Sequence, residues 1–277
     1  MPGAPRPTAG PVITSLANPQ IKRLVTLRRR RIREEAAVTL VEGREELALA
    51  LSAGVRPVAL YYCPDLAGDG PAAIAGQAAG LGADVVRVSR PVFEKIAYRE
   101  SPDGWLAVVP AVRSVLAGLE IGSDPLVLVC DRVEKPGNLG AMLRTADAAG
   151  LAAVIATDPV TDWGNPNVIR ASKGTVFSVP VAAASTAEVI GWLAEHALRI
   201  VATTPGPGVD LVDADLTGPV AITVGSETSG LPAEWLDRAD LRVRIPMFGH
   251  ADSLNVATSA AIVIYEAVRQ RMLSRRG

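Results

Sequence analysis

The chain has 277 residues, 49% of them hydrophobic and 21% charged, with a formal net charge of −1; this balance excludes an intrinsically disordered chain and suffices for about two self-contained domains. Cys63 and Cys130 are far apart and form no CxxC pair, so neither a disulfide framework nor a cysteine zinc site is expected, and both read as small buried hydrophobes. No stretch approaches 18 apolar residues, and the opening MPGAPRPTAGPV lacks the apolar core of a secretory signal, so a cytoplasmic protein without a membrane span is expected.

In chain order, residues 1–12 are expected as a flexible tail, 13–110 as a small α/β domain, 111–124 as a linker and 125–277 as a second α/β domain. The first predicted element is a basic helix over 18–35, with Asn18 as cap and Pro19 at the first helical position. Lys22, Arg23, Arg28, Arg29, Arg30, Arg31 and Arg33 place seven cations in twelve residues before the first acid, Glu34. Residues 1–110 hold 14 Lys+Arg against 11 Asp+Glu, while 111–277 hold 14 against 18, so the positive excess concentrates here. A solvated helix face is the plain alternative; the density points instead to a polyanion such as RNA or DNA phosphates. A strand over 39–42, a helix over 45–52 closed by Gly54 and a strand over 58–62 follow. A helix within 66–83, a strand over 85–88, a short helix over 91–97 and a strand over 105–109 complete the domain. Gly118 and Gly122 mark the linker.

Beyond it, apolar runs fall at 126–130, 151–156, 176–181, 200–203, 220–224 and 241–245, several separated by helical stretches such as 141–149 and 187–196. Fully apolar strands alternating with helices imply a parallel sheet covered on both faces. The last helix, 255–272, carries Val256, Ala260, Val263, Ile264, Ala267 and Val268 on one stripe.

Several chemistries are missing. No GxGxxG follows the first strand, and no GxxxxGK[ST] or HExxH occurs. His196 and His250 have no partner at ligand spacing, and Ser226 is not a nucleophile elbow, since Thr228 stands where the second glycine belongs. Three segments stand out because glycines and polar residues gather at the ends of apolar strands, where parallel α/β sheets bind ligands. They are 131–146 (DRVEKPGNLGAMLRTA), 224–232 (VGSETSGLP) and 245–266 (IPMFGHADSLNVATSAAIVIYE). Taken singly, each is equally well explained as a strand–loop–helix junction with caps and turn glycines. Arg144, expected on an otherwise apolar helix face, needs a partner. A salt bridge to Asp131, Glu134 or Asp147 is one explanation.

Together and in this order the three segments resemble the SpoU family of the knotted SPOUT methyltransferase superfamily. NxGAxxRTA stands at 138–146, GxExxGL at 225–231 and IPMxGxxxSLNVxxxxAIxxYE at 245–266. The resemblance covers 126–272; more weakly, 12–110 is similar to the family's substrate-binding domain, with Val41-Glu42-Gly43 as its signature. The arrangement is similar to ribosomal-RNA methyltransferases of antibiotic producers, including the avilamycin-resistance type.

The resemblance implies an α/β fold whose C-terminal parallel-sheet domain holds a deep trefoil knot and follows a smaller domain like ribosomal protein L30e. It implies S-adenosylmethionine as cofactor, contacted by Thr203, Gly225, Ile245, Met247 and Leu254, with Gly225 and Gly249 permitting close backbone approach. It implies methyl transfer to a ribose 2′-hydroxyl, most simply of 23S rRNA, by a homodimer without metal. A tRNA ribose methyltransferase and a non-catalytic RNA-binding or assembly factor are the alternatives. Arg144 would stand at the hydroxyl, supplied across the dimer. Asn138 would orient Arg144 or the ribose, Glu227 would fix the loop or Arg144, and Ser253 and Asn255 would complete the site. Arg170 and the seven cations of 22–33 would contact RNA phosphates, and His250 is expected to face solvent.

Overall fold

The computed structural model describes residues 11–275 apart from 69–70, so residues 1–10 of the expected tail lie outside the described residues. The chain divides into two compact units. The first comprises the described residues up to Val112 together with Gly164–Ser178, and the second comprises Arg113–Trp163 and the residues from Val179 onward.

In the first unit, Asn18 caps α1 (Pro19–Thr26), its side chain accepting from the Gln20 N–H at 2.8 Å, with Pro19 opening the helix as expected. The single basic helix expected over 18–35 is instead two, since α2 (Arg30–Glu35) starts after a break at 27–29. A continuous helix would set Arg29 against Arg33 one turn apart. Arg33 instead turns back, only 5% exposed, and donates to the Leu27 and Arg28 carbonyls at 3.2 and 3.1 Å, satisfying the end of α1. The elements β1 (Val38–Glu42), α3 (Arg44–Ser52), β2 (Ala59–Tyr62), α4 (Pro71–Gly80), β3 (Asp84–Arg87), α5 (Arg90–Ile96) and β4 (Trp105–Pro110) follow in the expected sequence. Their sheet runs β1-β4-β2-β3, antiparallel except for the parallel β2–β3 pair. Ile21, Leu24, Leu40, Phe93 and Leu106 share the core between this sheet and helices α1 and α5. At Gly43 the backbone has φ +113°, and a Cβ there would fall 2.1 Å from Glu46 Oε2, so the signature Val41-Glu42-Gly43 needs its glycine.

The rest of the chain supplies β5 (Leu126–Asp131), α6 (Pro136–Ala149), β6 (Ala153–Thr157), α7 (Pro166–Ala171), β7 (Val181–Ala184), α8 (Thr186–Glu195) and β8 (Arg199–Thr203). It ends with β9 (Val209–Asp210), β10 (Val220–Val224), α9 (Ala233–Arg238), β11 (Leu241–Arg244) and α10 (Val256–Ser274). The second unit's seven strands run β7-β6-β5-β10-β8-β11-β9, every neighbouring pair parallel. Val127, Val129, Ile155 and Ala221 pack with Val189, Trp192 and Trp235 of α8 and α9. Alternation sends the intervening residues to the opposite face, where Cys130 meets Met142 of α6 with sulfurs 3.9 Å apart. Helices α6 and α10 pack against each other, and α10 also lies on β8 and β10. Both faces are covered, as the apolar strands required. Ala260, Val263, Ile264 and Ala267 of the α10 stripe are buried in this core.

The run 176–181 is not one strand. Thr175–Phe177 forms a 3₁₀ turn, and β7 begins only after Pro180, whose ring removes a ladder donor. The turn, with α7, belongs to the first unit: α7 packs on β1, the Thr39 hydroxyl donates to the Gly164 carbonyl, and Lys173 reaches Glu45 at 3.3 Å. Helices α7 and α9 and strand β9 have no counterpart in the sequence reading, being six, six and two residues long. Among the described residues no helix is long and apolar enough to cross a membrane.

Candidate active site

Because all seven strands are parallel, their carboxyl ends line one edge of the sheet, and the three singled-out segments leave from β5, β10 and β11 at that edge. Glu227 joins the first two. Helix α6 begins at Pro136 after Lys135, which offers no side-chain cap. Glu227, on the loop after β10, supplies the acceptor from outside: its carboxylate receives the backbone N–H groups of Glu134 at 3.1 Å and Lys135 at 3.3 Å and the Asn138 amide at 2.6 Å. Burial pulls the Glu227 pKa upward, but the N–H donors and the Asn138 amide prevail and hold it below the ordinary carboxylate range.

The third segment closes the chain of contacts. Asn138 Oδ1 accepts from Asn255 Nδ2 at 3.1 Å, while Asn255 Oδ1 caps α10 by accepting from Ala257 N–H at 2.9 Å and Thr258 N–H at 3.4 Å. Glu227, Asn138 and Asn255 thus form one line of hydrogen bonds across residues 89 and 117 positions apart in the chain. The Glu227 loop is itself closed by reciprocal backbone bonds between Ser226 and Gly230 at 3.2 and 3.0 Å. That fold-back explains Gly225, where a Cβ would lie 2.1 Å from the Gly230 carbonyl carbon. At Gly249 a Cβ would meet nothing within 4 Å, so the close approach expected there is not made within the chain.

Arg144 differs from expectation. Helix α6 buries Leu139, Met142, Leu143 and Ala146 and turns Arg144 to solvent, where its side chain has no hydrogen bond or ion pair among the described residues. None of Asp131, Glu134 or Asp147 pairs with it; Asp131 is buried elsewhere, bonded to Thr157 and Trp235. Ser253 and His250 are exposed.

The expected cofactor positions occupy three neighbouring strand ends. Thr203 closes β8, Gly225 follows β10 and Ile245 follows β11, and β8 lies between the other two strands. The Thr203 hydroxyl is buried with no partner among the described residues, a polar group left for something the loops enclose. Ile245 and Leu254 are half-buried, Met247 is 37% exposed and the neighbouring Phe248 is 99% exposed. A buried orphan hydroxyl flanked by loop backbone and half-buried aliphatic side chains fits a nucleoside-like cofactor. Among the described residues no three His, Cys, Asp or Glu side chains gather as a metal site.

The basic segment of the first unit sorts into four groups. Lys22, Arg23 and Arg29 are exposed, and their side chains make no ion pair or hydrogen bond among the described residues. Arg30 and Arg31 pair along α2 with Glu34 and Glu35 at 2.7 and 2.6 Å. Arg28 donates to the Lys95 and Ala97 carbonyls at 3.1 and 2.7 Å and lies 5.4 Å from the Tyr98 ring centroid. Buried Arg33, spent on the end of α1, is removed from the set of phosphate contacts expected for this segment. Arg170 is exposed at the end of α7 and therefore stands on the same unit as the basic segment.

Residues 125–265 match the family model described as the SpoU rRNA Methylase family, and residues 18–107 match an MRM3-like substrate binding domain. Over 182 residues the chain is 37% identical to a 23S rRNA (uridine(2479)-2′-O)-methyltransferase of Streptomyces viridochromogenes, covering 64% of this chain. It spans 63% of that curated relative's length. Among solved structures it is similar to an RNA 2′-O ribose methyltransferase (TM-score 0.82, 42% identity, 95% of this chain and 100% of the other). It is also similar to an AdoMet-bound rRNA methyltransferase from Sinorhizobium meliloti (TM-score 0.85, 33% identity, 94% and 97%).

Proposed function

Since the chain belongs to the SpoU rRNA methylase family, we propose that it transfers a methyl group from S-adenosylmethionine to a ribose 2′-hydroxyl of 23S rRNA. The observation that carries this reading is the Glu227–Asn138–Asn255 line, which draws all three motif segments together at the carboxyl edge of a parallel sheet. An exposed arginine without a partner among the described residues, Arg144, stands on the helix that Glu227 caps.

Thr203, Gly225, Ile245, Met247 and Leu254 would hold the cofactor, largely through loop backbone, and the unpartnered Thr203 hydroxyl is the side-chain group free to engage it. Bound there, S-adenosylmethionine supplies a methyl on a sulfonium centre. A ribose hydroxyl is a weak nucleophile and must be aligned and relieved of its proton. The Arg144 guanidinium is a poor base because such a group does not give up its proton in proteins. Its role would be to grip the target phosphate and orient the 2′-hydroxyl, with that phosphate assisting loss of the hydroxyl proton. Glu227, held ionised by its donors, fixes the first turn of α6 and with it Asn138. Ser253 and Asn255 complete the site. In a homodimer Arg144 would serve the partner's cofactor; Ile262 and Tyr265, exposed on α10, are consistent with a contact there.

The knot belongs to this proposal too, supported by a strand order in which β11 lies outside β8 while α10 returns over α6 and β10. So does the L30e-like character of the first unit, supported by its mixed four-stranded sheet. RNA follows from the chemistry, because only RNA carries the 2′-hydroxyl. Lys22, Arg23, Arg29 and Arg170 would track phosphates, as would the ion-paired Arg30 and Arg31 more weakly. A substrate unit of this size favours rRNA over tRNA, and the reaction belongs in the cytoplasm. The test is labelled-methyl transfer to unmodified large-subunit rRNA, small-subunit rRNA and tRNA in parallel. Alkali-resistant dinucleotides from the large-subunit product support the proposal. Label confined to tRNA moves the substrate, and absence of label from every pool leaves a binding protein.

A further inference from the structure

One buried acid remains outside this scheme. Asp131, the last residue of β5, is 1% exposed, and its Oδ1 accepts from Thr157 Oγ1 at 2.7 Å and Trp235 Nε1 at 3.0 Å. Thr186 Oγ1 stands 3.3 Å from the same oxygen but closer, 2.8 Å, to Asp158 Oδ2. The other carboxylate oxygen, Oδ2, is buried without a partner among the described residues. These groups come from four elements: Asp131 and Thr157 end neighbouring strands, Thr186 opens α8, and Trp235 is fully buried in α9.

A carboxylate in such a place is a costly way to fill a core, since an apolar side chain of similar volume avoids the desolvation. Its position in the chain says what it does instead. The next residue, Arg132, has φ +48°, an uncommon left-handed turn for a side-chain-bearing residue, and starts the loop whose Glu134 and Lys135 N–H groups bind Glu227. On the neighbouring strand Val224 pairs with Cys130, which sets Gly225 beside Asp131 at the start of the Glu227 loop. The far end of that loop runs into α9, whose Trp235 indole donates to Asp131. One carboxylate therefore holds the origin of the α6 loop and the exit of the Glu227 loop, whose side chains must meet for Glu227 to bond Asn138.

We infer that Asp131, acting through Trp235, is a positioning residue that sets the Glu227 loop against the first turn of α6 and so keeps Asn138 and Asn255 in register for methyl transfer. This rests on the methyl-transfer reading above, but the geometry it claims can be read without turnover.

The experiment uses the full-length chain as Asp131→Asn, Trp235→Phe and Glu227→Gln, with Asp131→Asn also made in the Glu227→Gln background. In Asp131→Asn, kcat is expected to fall at least tenfold with the KM for RNA within twofold. The same change made on Glu227→Gln should cost less than twofold, because the loop it positions has already lost its contact. Equal losses in both backgrounds, or an unaltered kcat, overturn the inference. In parallel, ¹⁵N-labelled protein reports the Asn138 side-chain amide directly. That resonance should move in both Asp131→Asn and Trp235→Phe, and its staying in place overturns the inference even where no RNA accepts a methyl. Trp235→Phe keeps an aromatic side chain in the core while removing the indole N–H with part of the ring, so it decides the matter if Asp131→Asn does not fold.

Discussion

Glu42 in the first unit and Glu227 in the second do the same mechanical work, each accepting two backbone N–H groups from a loop elsewhere in the chain. Glu42 receives those of Tyr98 at 2.7 Å and Arg99 at 3.3 Å; Glu227 receives those of Glu134 and Lys135. Their acidities move in opposite directions. Burial dominates at Glu42 and raises its pKa against the pull of the two N–H donors and the Arg99 charge. At Glu227 burial is also the largest single influence, yet the donors together outweigh it. The difference is exposure and company. Glu42 is sealed into the fold, a loop tie for which charge is a cost. Glu227 is half-open beside a helix N-terminus, so it keeps its charge. One is expected to report in stability and the other in turnover.

The largest effect should come from the residue that Glu227 supports indirectly. Arg144→Ala should lower kcat by about 10²–10³-fold, the scale of losing one charge-stabilising donor at a reacting centre. It should leave the melting temperature unchanged, because Arg144 makes no hydrogen bond or ion pair among the described residues. Initial rates and a thermal melt on the same preparation check both halves. A wild-type rate removes the mechanism.

Exchanging the two carboxylates for amides sharpens the contrast. Glu227→Gln should cost about 10–100-fold in kcat, comparable to the loss from misplacing a catalytic group by an ångström. Glu42→Gln should leave kcat per folded molecule intact and cost about 1–3 kcal/mol of stability, since an amide offers one acceptor oxygen where the loop uses two. The pH dependences have opposite signs. Glu227, depressed below its unfolded value near 4.5, contributes stability that is present above pH 4.5 and lost as pH falls through the folded pKa. Glu42, raised above 4.5, makes a contribution that is full below pH 4.5 and declines as pH rises through its folded pKa. Denaturant titrations between pH 3 and 7 should therefore flatten above about 4.5 in Glu42→Gln and below it in Glu227→Gln. The same slope change in both variants would erase the distinction.

These two residues also mark what the sequence disclosed. Glu227 was legible because its loop, GSETSGL, lies in a motif with fixed spacing, and the apolar strands around it announce a parallel sheet. Its partner Asn138 was legible for the same reason, though no spacing says that the two side chains touch across 89 residues. Asp131 was visible only as a candidate partner for Arg144, because its true partners, Thr157 and Trp235, lie 26 and 104 positions away and carry no pattern. The inward-facing Arg144 was wrong by one step of helical phase: Leu143 faces the core and the next residue faces out. Arg33 failed differently. In sequence it is one cation among seven, and only the break between α1 and α2, a tertiary event, makes it a buried cap.

That division among the cations gives the smallest effects and the finest test of the first unit. Replacing Lys22, Arg23 and Arg29 together by Ala should weaken RNA binding about tenfold at moderate salt and flatten the logarithmic salt dependence by about two, since up to three phosphate contacts are lost. Arg31→Ala should do much less. Its guanidinium is held by Glu35, so removing it frees an acid as well as deleting a cation, and an exposed pair one turn apart stabilises α2 by only about 0.3–0.5 kcal/mol. Filter binding across a salt series should place Arg31→Ala within twofold of wild type. An effect as large as the triple replacement would mean that α2 unpairs its arginines to meet RNA, and the contact surface would then have to be redrawn around Arg30 and Arg31.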